Sequence, residues 1–197
     1  MLSRDDVDTL IGSLTSVIPS GFFYAMGQRE SNLNPNNVTP EGNGTTSIGV
    51  WQVNAEEAAA AGVTGDLKDP SNNASVIVYK MTQNLYALAN KYGFNAEAPP
   101  DDAWYYLAAS HNAGLSRIEG WIDETGVDWQ ATKAKHPTFV TIAKGYADYI
   151  GNAAIADLPS IADGPPDGTG DSGGPVTDTI LVLLIVGIGV VFGVLYA

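Results

Sequence analysis

The sequence predicts a mainly α-helical body followed by an acidic tether and one C-terminal transmembrane helix. Three observations predict it. Apolar residues recur at helical spacing behind capping residues through the first 156 positions, the chain then changes to proline, glycine and aspartate, and residues 180–197 carry no charge at all. In chain order, Val7, Leu10, Ile11, Leu14 and Ile18 form the stripe of a first helix, with Ser3 and Asp6 spaced as a capping box. A second helix is expected from Ser20 to about Glu30, after Pro19. From Asn32 to Val53 the periodicity gives way to Asn, Pro, Gly and Thr, the chemistry of loops and short strands. A long helix from about Asn73 to Tyr92 places Ile77, Met81, Leu85, Leu88 and Tyr92 on one face. Further helices are expected over Asp102–Ser110, Ser116–Glu124 and Pro137–Ala156, the last with Phe139, Ile142, Ala143, Tyr146, Tyr149 and Ile150 inward. No internal repeat is visible.

The body (residues 1–156) is followed by a linker (157–178) and a span (179–197). Pro159 to Asp178 is rich in proline, glycine and aspartate and lacks Lys and Arg, as a solvated tether does. Ile180 to Ala197 is apolar throughout, and eighteen residues at 1.5 Å each give roughly 27 Å, enough for a lipid core when Thr179 joins. The alternative, a buried core helix, would keep some polar face. Gly189 and Gly193 make one GxxxG spacing. The span has no flanking Lys or Arg, so charge does not orient it.

The 197 residues hold 22 acidic and nine basic side chains, a net charge of −13, of which the body carries −8. Nine scattered cations cannot form the basic stripe that nucleic-acid binding needs, so no nucleic-acid partner is expected. The acidity suits a protein working in high salt, where repulsion between carboxylates is screened. With no cysteine and only His111 and His136, the chain offers no thiolate nucleophile and no HExxH-type zinc site. No metal and no cofactor is expected.

One carboxylate stands out. In Gln28-Arg29-Glu30-Ser31-Asn32-Leu33-Asn34-Pro35 a glutamate sits where a helix stops, beside a loop rich in hydrogen-bonding side chains. An acid in the last turn gains nothing from the helix dipole. Met26 and Phe23 lie one and two turns back on its side, so an apolar wall would raise the pKa of Glu30 toward that of a proton donor. Arg29, its neighbour, points elsewhere. The alternative is a solvated surface glutamate.

Glu30-Ser31-x-Leu33-x-Pro35, then Gly49-Val50-Trp51-Gln52-Val53, then Ala109-Ser110-His111-Asn112-Ala113-Gly114 resemble the ES, GxxQ and (Y)NAG motifs of the soluble lytic transglycosylase (SLT) family. Leu67-Lys68-Asp69-Pro70 with Asn73 and the helix ending at Tyr92-Gly93 is similar to the family's DP-xx-N segment. His136-Pro137 followed by Tyr146-Ala147-Asp148-Tyr149-Ile150 is similar to its proline-then-tyrosine helix. The resemblance spans about residues 18–152. It implies a lysozyme-like (SLT or goose-type) helical domain that cleaves the β-1,4 bond between N-acetylmuramic acid and N-acetylglucosamine in peptidoglycan glycan strands. On this resemblance Glu30 is the sole catalytic acid, and the sugar's own C6 hydroxyl is the nucleophile that yields a 1,6-anhydro product. Ser31 and Gln52 would contact substrate or fix the acid, Asn112 would hydrogen-bond the glycan, and Tyr146 would reach the Glu30 carboxyl, with Tyr149 one turn on as the competing tyrosine.

Each residue also has a structural reading: Ser31 as a turn cap, Gln52 as a loop brace, Asn112 as a plain turn residue, Trp51 as core filler rather than a sugar platform. The sequence departs from the family pattern at His111, where tyrosine is usual, and at Val50-Trp51. The interval from Glu30 to Gln52 is longer than in the simplest members, with Glu41-Gly42-Asn43-Gly44-Thr45-Thr46 in the excess. A loop carrying Glu41 could supply a second carboxylate and permit hydrolysis, as in a muramidase. A non-catalytic glycan-binding or structural virion membrane protein is the remaining alternative.

The N-terminal MLSRDDVDTLIG lacks the basic-then-apolar pattern of a secretory signal, although peptidoglycan lies outside the cytoplasmic membrane. Together with the terminal span, this leads to the expectation of a wall-opening enzyme in the membrane of a bacteriophage virion. Its partners would be the lipid bilayer and other virion proteins; a bacterial cell membrane is the alternative location.

Overall fold

The structure, a computed structural model, describes residues 1–42 and 44–158, and for 137–144 the backbone alone. The body is mainly helical. Helix α1 (Arg4–Gly12) starts at Ser3, whose hydroxyl accepts from the Asp6 N–H while the Asp6 carboxylate accepts from the Ser3 N–H, the reciprocal cap expected of that spacing. It is shorter than its apolar stripe suggests. The helix stops at Gly12, the poorest helix former in the segment after proline is excluded, so Leu14 falls outside it and is 42% exposed, while Ile18 reaches the core through the following loop.

Helix α2 (Ser20–Ser31) has Pro19 at its N-cap and no cap from its own side chains. Asp157, the last residue of α8 (Pro137–Asp157), accepts from the Gly21 N–H at 2.7 Å and pairs with Arg4 at 2.8 Å. A residue 136 positions away thus does the work of a local cap and ties α1, α2 and α8 together. Asp157→Ala is expected to cost about 1–2 kcal/mol of stability, the usual loss for a cap, read as a lower denaturant midpoint with unchanged slope.

A two-stranded antiparallel hairpin follows, β1 (Val38–Pro40) and β2 (Thr46–Ile48), with Thr39 opposite Ser47. Next come the short α3 (Ala55–Ala60) and the long α4 (Pro70–Tyr92). Asp69 caps α4 by accepting from the Ser71 N–H, Pro70 occupies its first position, and Gly93 closes it in the left-handed conformation. Helices α5 (Asp101–Ala113), α6 (Leu115–Thr125) and α7 (Trp129–Lys135) complete the order before α8.

Phe22, Phe23 and Met26 of α2, Ile77, Met81 and Leu85 of α4, Trp104 and Leu107 of α5 and Ile150 of α8 all lie in one core. Helix α8 packs on both α5 and α2, which brings residues near 146–150 to the end of α2. Its expected inward face needs one correction. Ala147 and Ile150 are buried, but Tyr149 is 42% exposed, with its hydroxyl donating to Gln28 and its ring under the Arg29 guanidinium. The side chains of Phe139, Ile142 and Ala143 lie outside the described residues, as do the whole of 159–197 and hence the expected tether and span. Among the described residues no helix is long and apolar enough to cross a membrane.

Candidate active site

Glu30 occupies the last turn of α2, whose end is set by two successive left-handed residues, Asn32 (φ 55°) and Leu33 (φ 60°). The Leu33 N–H returns to the Gly27 carbonyl at 3.0 Å, which buries Leu33 against Gly27. The approach is tight: a Cβ on Gly27 would lie 2.8 Å from a Leu33 methyl and 3.0 Å from a Val50 methyl, so any larger residue would push these side chains aside. The close approach seats the Gly49–Gln52 turn directly against the helix end.

That turn is pinned by Asn73, a fully buried side chain of α4. Its Oδ1 accepts from the Trp51 N–H at 2.9 Å and its Nδ2 donates to the Ile48 and Leu67 carbonyls, each at 2.9 Å. Gly49 (φ 82°) passes so close that a Cβ would collide with the Asn73 amide and the Leu67 carbonyl. Trp51 is core: it is 0% exposed and its Nε1–H donates to the Phe23 carbonyl at 2.7 Å. This removes it as a sugar platform.

Above this frame lies a polar groove of about 370 Å³, lined by residues that include Glu30, Glu41, Gln52, Glu57, His111 and Asn112. Gln52 is held in the left-handed region (φ 48°), with Nε2 donating to the Gly49 carbonyl at 2.8 Å, so it braces the turn and also lines the groove. Asn112 lies exposed at the end of α5 on the groove wall. Ser31 is different. Its hydroxyl donates to the Val50 carbonyl at 2.8 Å and accepts from the Asn34 N–H at 3.0 Å, and it is not among the lining residues. These bonds fit the reading of Ser31 as a turn cap, with the hydroxyl fastening the turn to α2.

Tyr146 of α8 donates to Glu30 Oε1 at 2.5 Å, so of the two tyrosines it is Tyr146 that meets the acid. His111 Nε2 lies 3.4 Å from the same oxygen, and the His111 and Tyr146 rings stack at 6.4 Å. The Glu30 side chain is 16% exposed. Sequence pattern points to an apolar wall that raises its pKa, and the structure reverses the sign. Burial penalises the charged form, but the hydrogen bond from His111, the Tyr146 hydroxyl and the nearby Lys80 charge act against it, and the carboxyl is held below the ordinary glutamate value. Tyr146, desolvated and beside that carboxylate, is pushed well above the usual phenol range and stays a donor.

Glu57 and Lys80 are site residues that sequence reasoning missed. Asn54 and Glu57 form a capping box at α3, Asn54 Oδ1 accepting from the Glu57 N–H and Glu57 Oε2 from the Asn54 N–H, each at 3.0 Å. Asn-x-x-Glu ahead of an alanine run was the available signal. Among the described residues no group of three or more His, Cys, Asp or Glu side chains is disposed to hold a metal.

The site is thus a half-buried carboxylate on a helical scaffold, bonded on one oxygen by the Tyr146 hydroxyl and faced on the same oxygen by His111, at the rim of a polar trough. Residues 12–133, well over half of the chain, match the Transglycosylase SLT domain family, and the chain belongs to that family of transglycosylases acting on peptidoglycan. The match includes Glu30, Gln52, His111 and Asn112; Tyr146 lies beyond it. No curated protein and no solved structure matches the chain.

Proposed function

We propose that this protein is a peptidoglycan lytic transglycosylase that cleaves the N-acetylmuramic acid–N-acetylglucosamine β-1,4 bond with Glu30 as the only acid and base. One observation carries the reading: Tyr146 and His111 both grip Oε1 of Glu30 at the edge of the groove, which leaves Oε2 for the substrate. Glu30 first gives its proton to the bridging oxygen as the C1–O bond breaks. The C6 hydroxyl oxygen then bonds to C1 and its proton returns to the carboxylate, closing a 1,6-anhydro ring with no water consumed. Asn112 on the groove wall and the Gln52 carbonyl oxygen, whose amide nitrogen is already engaged, would bind the glycan.

A second reading has its own support. Glu41, from the loop between β1 and β2, lines the same groove, and a hydrolase uses a second carboxylate to activate water or form a glycosyl intermediate. Mass analysis of muropeptides released from purified sacculi by the full chain decides between them. Anhydro ends are expected; reducing ends would replace the proposal with a muramidase, and intact glycan strands would leave a binding module. Anchoring through residues 179–197 in a virion membrane draws support from the uncharged run at 180–197. Recovery of the protein with the membrane of purified phage particles is the expected result, and recovery only from uninfected cell membranes would overturn it.

A further inference from the structure

Behind Glu30 the polar contacts continue for three more residues from three different helices. Glu57 of α3 has Oε2 fixed by the Asn54 backbone and Oε1 paired with Lys80 Nζ of α4 at 2.5 Å. Lys80 Nζ lies 3.1 Å from Nδ1 of His111 on α5, and Nε2 of that ring faces Glu30. The members are largely enclosed: the side chains of Glu57, Lys80 and His111 are 22%, 23% and 6% exposed.

The direction of these bonds follows from the donor inventory. An ammonium has hydrogens to give and no lone pair, so Nδ1 must accept from Lys80. The ring hydrogen of a neutral imidazole then sits on Nε2, where it points at the carboxylate. The other tautomer would set an N–H against the ammonium and a lone pair against Glu30, and is disfavoured at both ends. Glu57, itself held at both oxygens, keeps Lys80 in place.

We propose that Glu57, Lys80 and His111 form a positioning relay for the reaction: Lys80, anchored by Glu57, fixes His111 as the Nε2–H tautomer, which with Tyr146 holds Oε1 of Glu30 so that Oε2 exchanges the proton with the glycan. This rests on Glu30 being the acid and base of the proposed transglycosylase. The relay itself neither gains nor loses a proton. Its effect is greatest when the proton has just left Glu30 for the bridging oxygen, because both donors and the Lys80 charge then face a full carboxylate. Among the described residues, the charged or titratable groups around Glu30 are Tyr146 from α8, His111 from α5, Lys80 from α4 with Glu57 of α3 behind it, and Glu41 across the groove; Arg29 is turned away onto the Gly145 carbonyl.

The test uses the full chain labelled with ¹⁵N-histidine. With two histidines in the sequence, a His136→Gln variant assigns the spectrum. Unaltered protein should show His111 as a single Nε2–H tautomer, and Lys80→Met should give a mixture. In the same variant kcat should fall about tenfold or more, as expected for a weakened hydrogen bond to a charged group, with a much smaller change in KM. Because kcat/KM needs protonated Glu30, activity falls as pH rises through its pKa. Loss of the relay raises that pKa, so the falling limb should move to higher pH. Lys80→Arg should restore part of both effects, and Glu57→Gln should reproduce them in weaker form, which covers failure of Lys80→Met to fold. An unchanged tautomer, or an unchanged pH limb in folded variants, overturns the relay. Glu30→Gln run alongside separates the two levels: if it keeps lytic activity, the acid assignment fails; if it abolishes activity while the Lys80 and Glu57 variants behave like unaltered protein, only the relay fails.

Discussion

Glu30→Gln is expected to remove nearly all wall lysis, with a fall of about 10²–10⁴ in rate on a zymogram or in sacculus clearance. The substitution keeps the shape of the side chain and leaves an oxygen for Tyr146 and His111, so the groove persists while the transferable proton is gone. It also separates catalysis from stability. The carboxyl pKa of Glu30 is depressed in the folded protein, so its charge stabilises the fold fully above the ordinary glutamate value, and this contribution is lost as pH falls through the lower folded value. The unaltered protein should therefore lose stability at acid pH that the glutamine variant does not, and the two melting curves should draw together as the buffer is acidified. Lysis by Glu30→Gln comparable to that of the unaltered protein would end the single-acid mechanism.

The second large effect is structural. Asn73→Ala should destabilise the body by about 3 kcal/mol and lower its thermal midpoint by roughly 10 °C, because the Trp51 N–H and the Ile48 and Leu67 carbonyls lose a fully buried partner. Asn73→Asp is a sharper version. It keeps the acceptor for Trp51 but loses both donors and sets a buried charge against two carbonyls, so at neutral pH it should be no better than alanine. Calorimetry of both variants checks this. A loss under about 1 kcal/mol in each would mean that the turn carrying Gln52 is held by packing alone.

Much of this was legible because the signals were local. Ser3 with Asp6, Asp69 with Pro70, and Gly93 each declare a helix end within a few residues, and the stripe Ile77, Met81, Leu85, Leu88 declares the buried face of α4. The short α3 and α7 carry too few residues for a periodic stripe, although Asn54 and Asp128 cap them visibly. At the site, three motifs in order pointed to Glu30, Gln52 and Asn112, but the sign of the Glu30 pKa was out of reach. It depends on Lys80, His111 and Tyr146, between 50 and 116 positions away, whereas the apolar neighbours Phe23 and Met26 are adjacent in sequence and face the core. Tyr146 and Tyr149 differ by less than a turn, and only the docking of α8 on α2 decides which hydroxyl meets the acid and which meets Gln28.

The hydroxyl that grips the acid comes from a helix that leaves the ribosome long after α2. During synthesis the Glu30 carboxylate therefore exists for most of the chain's emergence without its phenolic partner. A product terminated early, or clipped ahead of position 146, would carry every motif recognisable in its first two thirds and still leave that carboxylate without the Tyr146 hydroxyl.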